Sequence, residues 1–314
     1  MTGTIALRTA LALYPGRYRR DRGEELAVVF ADTTAGAGRL AALRELVDLG
    51  AYGLRLRTGL TSTSAGGRLA ALTAPLAAGA AAGMAVFLQL AASWLRLELP
   101  DRAGEVPFFL VIAAMAALPV LGGTAALFGR WAAARLLAGG TALAVLAHLA
   151  MLAAVSPSGS RLWVAGYAFQ YEGAFLLWSL VLLAAPADAL PSPTWRERGL
   201  LLVSAVASPV AIYALDAYAP WSTIEPLWRS LMVGVPLLMA LTALRGWYVL
   251  AVPGLAALPW TFSANLHGLW QQAGGMWRLL PVAALVVTAM VALVVLGRPK
   301  GPAGPGGGAG RQTA

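Results

Sequence analysis

Four ionisable side chains stand inside stretches that are otherwise apolar: His148, Glu172, Asp216 and Arg229. A histidine and a carboxylate within reach of one another can exchange a proton or hold a small polar ligand, and an aspartate and an arginine can meet charged groups. Charge is costly in hydrocarbon, so such residues mark either a functional position or the end of a helix. At 1.5 Å per residue, His148 falls about 24 Å from the inner start of its span, in the outer third. Glu172 falls about 10 to 15 Å deep from the outer side of the next span. Asp216 stands at the outer end of a later span and Arg229 at the outer start of the one after it. If the four converge, they form an outward-facing pocket for a ligand or a proton, with Gln170, Tyr167, Tyr171 and Tyr213 nearby. The opposing expectation is structural. Asp216 and Arg229 then sit at headgroup level, His148 is a satisfied packing residue, and Glu172 marks a helix that begins later.

The elements that would position these residues follow from composition. Of 314 residues, 59% are hydrophobic and 12% charged, and the mean hydropathy is +0.71. A soluble globule cannot bury that much apolar surface, so lipid must solvate it. Helices are expected to do the crossing, because the sequence lacks the alternation of a barrel and several apolar runs reach the roughly 20 residues that span a bilayer. The pattern predicts an all-α polytopic bundle of about eight spans: Leu69–Leu95, Val106–Phe128, Ala132–Val155, Leu162–Ala187, Gly199–Ala219, Pro226–Leu244, Gly246–Phe262 and Leu279–Leu296. The seventh is short and contains Pro253 and Pro259.

Charge and tryptophan placement suggest an orientation. With the amino terminus inside, Arg130, Arg135, Arg196, Arg198, Arg245, Arg298, Lys300 and Arg311 fall on the inner side, and Glu98, Asp101, Glu105, Asp216 and Glu225 on the outer, together with Arg161; Arg96, Arg102, Arg229 and Arg278 dilute the signal. Both termini are then cytoplasmic and the protein is a multi-pass cell-membrane protein. Trp94, Trp163, Trp221, Trp228, Trp260, Trp270 and Trp277 are expected at the outer boundary, and Trp131, Trp195 and Trp247 at the inner one.

Ahead of the spans, residues 1–60 read as a cytoplasmic module of three short helices, Thr4–Leu13, about Tyr18–Thr34 and Arg39–Arg57. Leu26, Val29, Phe30 and Thr33 are expected on one face of the second helix, and Leu40, Leu43, Val47, Ala51 and Leu54 on one face of the third. Residues 61–68 form a linker, 69–296 the bundle and 297–314 a low-complexity tail expected to be disordered. The cluster Arg17, Arg19, Arg20 and Arg22 suits anionic headgroups of the lipid bilayer, at about 1 kcal/mol each near the surface. It also suits a cytoplasmic protein partner. No nucleic-acid reading element accompanies it.

The segment YPGRYRRDRGEELAVVFAD resembles a Tyr-Pro, Arg-rich, Gly-Glu-Glu prefix at the start of many actinobacterial multi-pass membrane proteins. More loosely it resembles the cytoplasmic prefix of macrolide-exporter-like ABC permeases. Tyr14, Pro15, Tyr18, Arg19, Gly23, Glu24, Glu25, Phe30 and Asp32 carry the likeness, which covers about the first 60 residues. It implies an accessory module and transfers no catalytic or binding residue.

The absence of cysteine removes thiolate metal sites, disulfides and cysteine nucleophiles together. Nucleophile elbows, HExxH and phosphate-cradling loops are also missing, so no catalytic residue, metal site or cofactor is expected. The preferred expectation is a non-enzymatic membrane protein with a regulatory prefix. A transporter or permease component is the alternative, and a lipid or glycan enzyme using Glu172 and His148 as acid and base is the third. The motif GAAAG, Gly79–Gly83, has the small-xxx-small spacing that allows helices to approach closely.

Overall fold

A computed structural model describes residues 2–94, 106–157, 161–190, 194–218 and 225–272. Among them the chain is all-α: α1 (Thr2–Ala12), α2 (Gly16–Thr34), α3 (Arg39–Thr58), α4 (Ala65–Trp94), α5 (Val106–Leu127), α6 (Trp131–Val155), α7 (Arg161–Ala184), α8 (Trp195–Tyr218), α9 (Glu225–Leu241) and α10 (Tyr248–Gln272). Three segments are long and apolar enough to cross a membrane: Ala65–Leu90, Val106–Leu127 and Trp131–Val155. Helices α7 to α10 occupy the segments read as spans four to seven, and α7, α9 and α10 contain shorter apolar stretches. The eighth segment, the acidic connection after α4 and the tail lie outside the described residues.

The module forms around Tyr14, the residue before Pro15. Pro15 cannot continue α1 and caps α2, and the turn it creates aims the tyrosine inward. Tyr14 is 2% exposed. Its hydroxyl donates to the Leu49 carbonyl at 3.0 Å, and its ring stacks on Tyr18 with centroids 5.6 Å apart. The ring lies against Gly53, where any Cβ would overlap it. Ala10 and Leu13 approach Gly50, one turn earlier on α3.

That packing corrects the expected faces. The buried stripe of α3 passes through Gly50 and Gly53, whereas Leu43, Val47 and Leu54 are 55%, 60% and 49% exposed. On α2 no residue is fully buried: of the expected face Leu26 and Phe30 are half-buried, whereas Val29 and Thr33 face outward. Hydrophobic periodicity alone favoured the bulky stripe, but the aromatic ring requires the stripe with no side chains.

Between module and bundle the chain makes a hydrogen-bonded elbow. Gly59 adopts a left-handed conformation, φ 69°, that ends α3. The Ser64 hydroxyl donates to the Thr61 carbonyl at 2.7 Å and accepts the Gly67 N–H at 3.0 Å, capping α4 four residues before the expected start of that span. The elbow meets the bundle at the turn after α7, where the Ser62 hydroxyl and Arg55 both act on Asp188 and hold its carboxyl below the ordinary aspartate range.

The bundle centres on α4, which packs on α5, α7, α8 and α10. The GAAAG motif is realised here. Side chains at Gly79 or Gly83 would overlap the carbonyls of Leu201 and Ala205, so the α4 and α8 backbones touch along parallel directions. Much of the core is alanine, including Ala74, Ala77, Ala126, Ala134 and Ala174. Trp178 is 1% exposed and donates its indole N–H to the Ala256 carbonyl of α10 at 2.8 Å, between Pro253 and Pro259. Helix α10 carries both prolines internally and runs to Gln272. It therefore continues ten residues past Phe262, the expected end of the seventh span. Trp131, expected in an inner belt, is 8% exposed and part of the core, while Trp195 and Trp247 are exposed. Arg198 lies over the Trp195 ring at 5.3 Å.

Candidate functional site

Helices α6 and α7 run antiparallel along a seam with three- and four-residue spacing. Trp131, Ala134, Ala138, Thr141, Val145 and His148 are buried on α6. Ala168, Phe175, Ser179 and Leu182 are buried on α7, with Glu172 in the same register. Such spacing keeps one face of each helix against its neighbour over several turns. Two layers of the seam are polar. His148 meets Glu172 in one, and Thr141 and Ser179 border a small cavity two turns deeper, closed by Leu118, Gly123 and Trp178.

His148 Nδ1 and Glu172 Oε1 are 2.5 Å apart, and their side chains are 8% and 13% exposed. The approach lies away from the axis of the ring N–H, so the contact is bent. His148 Nδ1, His148 Nε2 and Glu172 Oε2 all lack a hydrogen bond among the described residues. The Phe108 ring, from the first turn of α5, covers the imidazole at 4.8 Å between centroids. Buried polar atoms without partners are costly and uncommon, which separates this pair from an ordinary packed histidine. Because α7 begins at Arg161, Glu172 is eleven residues inside the helix and does not mark its start.

The other expected site residues are placed differently. Asp216 is on α8 and Arg229 on α9, with side chains outside the described residues. Helix α8 packs chiefly on α4 and α9 on α10, so neither builds the α6–α7 seam. Of the surrounding residues named from sequence, Gln170 is half-buried on α7, and the side chains of Tyr167, Tyr171 and Tyr213 lie outside the described residues. Arg17, Arg19, Arg20 and Arg22 are exposed on α2, and Arg22 pairs with Glu25 at 3.3 Å. Such exposed pairs contribute only tenths of a kcal/mol, leaving the cluster free for other contacts.

Sequence reasoning passed over Phe108, Thr141 and Ser179. The regular spacing of Ala134, Ala138, Thr141, Val145 and His148 would have indicated the hydroxyl, since these residues share one face. Arg135 is a further addition. It donates to the Leu183 carbonyl at 3.0 Å, and Arg55 and Asp48 of the module lie within electrostatic reach. The seam is thus linked at one end to the N-terminal helices.

Among the described residues no group of histidine, aspartate and glutamate could hold a metal ion. The chain matches no family model, no curated protein and no solved structure.

Proposed function

We propose that the protein is a non-enzymatic, multi-pass protein of the cell membrane, with eight spans and both termini cytoplasmic, whose residues 1–60 engage a cytoplasmic protein. The observation that carries this reading is the unpartnered apolar stripe of α3. Leu43, Val47 and Leu54 remain exposed on a module whose own core is completed by Tyr14. Exposed contiguous apolar residues are a usual mark of an interaction face. The arginines at the starts of α6 and α8 and at the end of α9 support the orientation, since they share the end that bears the module.

The test is affinity isolation from native membranes in mild detergent, comparing the full chain with Val47→Glu and with a chain lacking residues 1–60. A cytoplasmic protein that is retained by the full chain and lost with both changes is the expected result. Retention by the deletion would remove the module from that role. The second reading, a transporter or permease component, draws on the small, mostly apolar cavity that Thr141 and Ser179 border between α4, α5, α6 and α7, and co-isolation of an ATPase subunit would favour it.

A further inference from the structure

We propose that the position beneath the Phe108 ring, beside His148 and Glu172, is a binding site for a small ammonium-type cation, with Phe108 as its movable cover. The Glu172 side chain is 13% exposed, and as a carboxylate it needs a positive partner, because an uncompensated buried charge is strongly destabilising. The neighbouring helices supply none. Helix α5 carries no arginine or lysine, and Arg135 of α6 and Arg161 of α7 stand thirteen and eleven residues from the pair, about 20 Å and about 16 Å along their helices. Helices α4 and α10, which also pack on α7, add only Arg68, in the first turn of α4.

The chemistry of the pair selects the ligand. Both imidazole nitrogens and Glu172 Oε2 are buried without hydrogen bonds among the described residues. Whichever ring nitrogen carries the hydrogen, the other presents a lone pair, so the site offers at least two acceptors, one of them anionic. A primary ammonium brings several N–H donors and the complementary charge. A metal ion would find two side chains, too few to replace its water. Phe108 gives the ligand its way in. Its ring lies tilted over the imidazole, 4.8 Å between centroids, and satisfies none of the polar atoms there. It belongs to the first turn of α5 and is itself 36% exposed, so a rotamer change uncovers the pair without disturbing a helix core.

The experiment exploits the absence of cysteine from the chain. Full-length Phe108→Cys and Phe109→Cys, in lipid nanodiscs open to solvent on both faces, are treated with a trimethylammonium-bearing thiol reagent and with its sulfonate counterpart. Phe109, the next residue and 41% exposed, controls for reactivity at this end of α5. The preference for the cationic reagent is expected to be about tenfold greater at position 108 than at 109, and methylammonium should slow the reaction at 108 alone. Adding Glu172→Gln should abolish the preference and the protection. If that double variant does not assemble, protection by methylammonium at 108 against 109 decides the matter. The cover is read from His148→Cys, whose thiol should react severalfold faster once Phe108→Ala is added. Equal preference at the two positions, no protection by methylammonium, or a preference that survives Glu172→Gln would overturn the site. A His148→Cys thiol equally reactive with and without Phe108→Ala would overturn the cover.

Discussion

In the module one large side chain fills a notch, Tyr14 against Gly53, whereas in the bundle the notches are themselves the contact, with Gly79 and Gly83 laying α4 on α8. On the proposed reading, in which water surrounds the module and lipid the bundle, the difference follows from solvent. In water, burying an aromatic ring drives association, so a small module gains most by enclosing one residue completely. In lipid the apolar side chains gain little by leaving their surroundings, and close backbone approach and buried polar contacts bring helices together instead. Both regions bond a buried aromatic to a backbone carbonyl, Tyr14 to Leu49 and Trp178 to Ala256, and the bundle adds the His148–Glu172 pair.

The contrast can be broken most severely in the bundle. Gly83→Leu would drive a side chain into the Ala205 backbone, which cannot yield as a flexible side chain does. A cost above about 3 kcal/mol is expected, read as loss of the monodisperse peak on size-exclusion chromatography in detergent. A variant that elutes and melts as the parent does would show that α4 and α8 are not in backbone contact.

Tyr14→Ala is expected to cost the module about 3 to 5 kcal/mol, as for other buried aromatics, while leaving bundle melting unchanged. Faster proteolysis within residues 1–60 would report it. Tyr14→Phe removes only the bond to Leu49 and should cost about 1 kcal/mol. The tyrosine also predicts alkaline behaviour. Burial, reinforced by Tyr18 and Tyr52, raises its pKa to about 12, so the folded module holds the phenolic proton more tightly than the unfolded chain, whose tyrosines titrate near about 10. The stabilisation is complete below about pH 10 and is lost as pH rises toward 12. Protease sensitivity of the module should therefore increase over that interval, and Tyr14→Phe should lack this component.

The smallest effect is expected where module and bundle meet. The Ser62 hydrogen bond, assisted by Arg55, lowers the pKa of Asp188. Stability from this contact is present above the ordinary aspartate range and declines as pH falls through the lowered value. Cleavage of residues 59–64 should rise in acid, and Ser62→Ala should flatten that dependence. Because Asp188 is exposed, the change is a modest one.

Local signals were legible where local chemistry decides structure. Pro15, the glycines after α2 and the long apolar runs predicted most helix positions within a few residues, and GAAAG contained the α4–α8 contact. The inner faces of α2 and α3 were not legible, because the choice of stripe depends on Tyr14 crossing to Gly53, thirty-nine positions away. Nor was the length of α10, since two prolines ordinarily signal an interruption and here lie within a helix braced by Trp178. For the site, residue type identified His148 and Glu172 as candidates. Their meeting required the register of α6 against α7, which residues on separate helices do not reveal singly.

The elbow at Gly59 and Ser64 has a mechanical consequence. Its residues bond to one another and to the first turn of α4, so tilting that helix carries α3 with it as a lever. The arm is α3 itself, twenty residues or about 30 Å. A tilt of about 10° at α4 would swing its far end by about 5 Å at that length, enough to present or withdraw Leu43 and Val47 from a neighbouring surface.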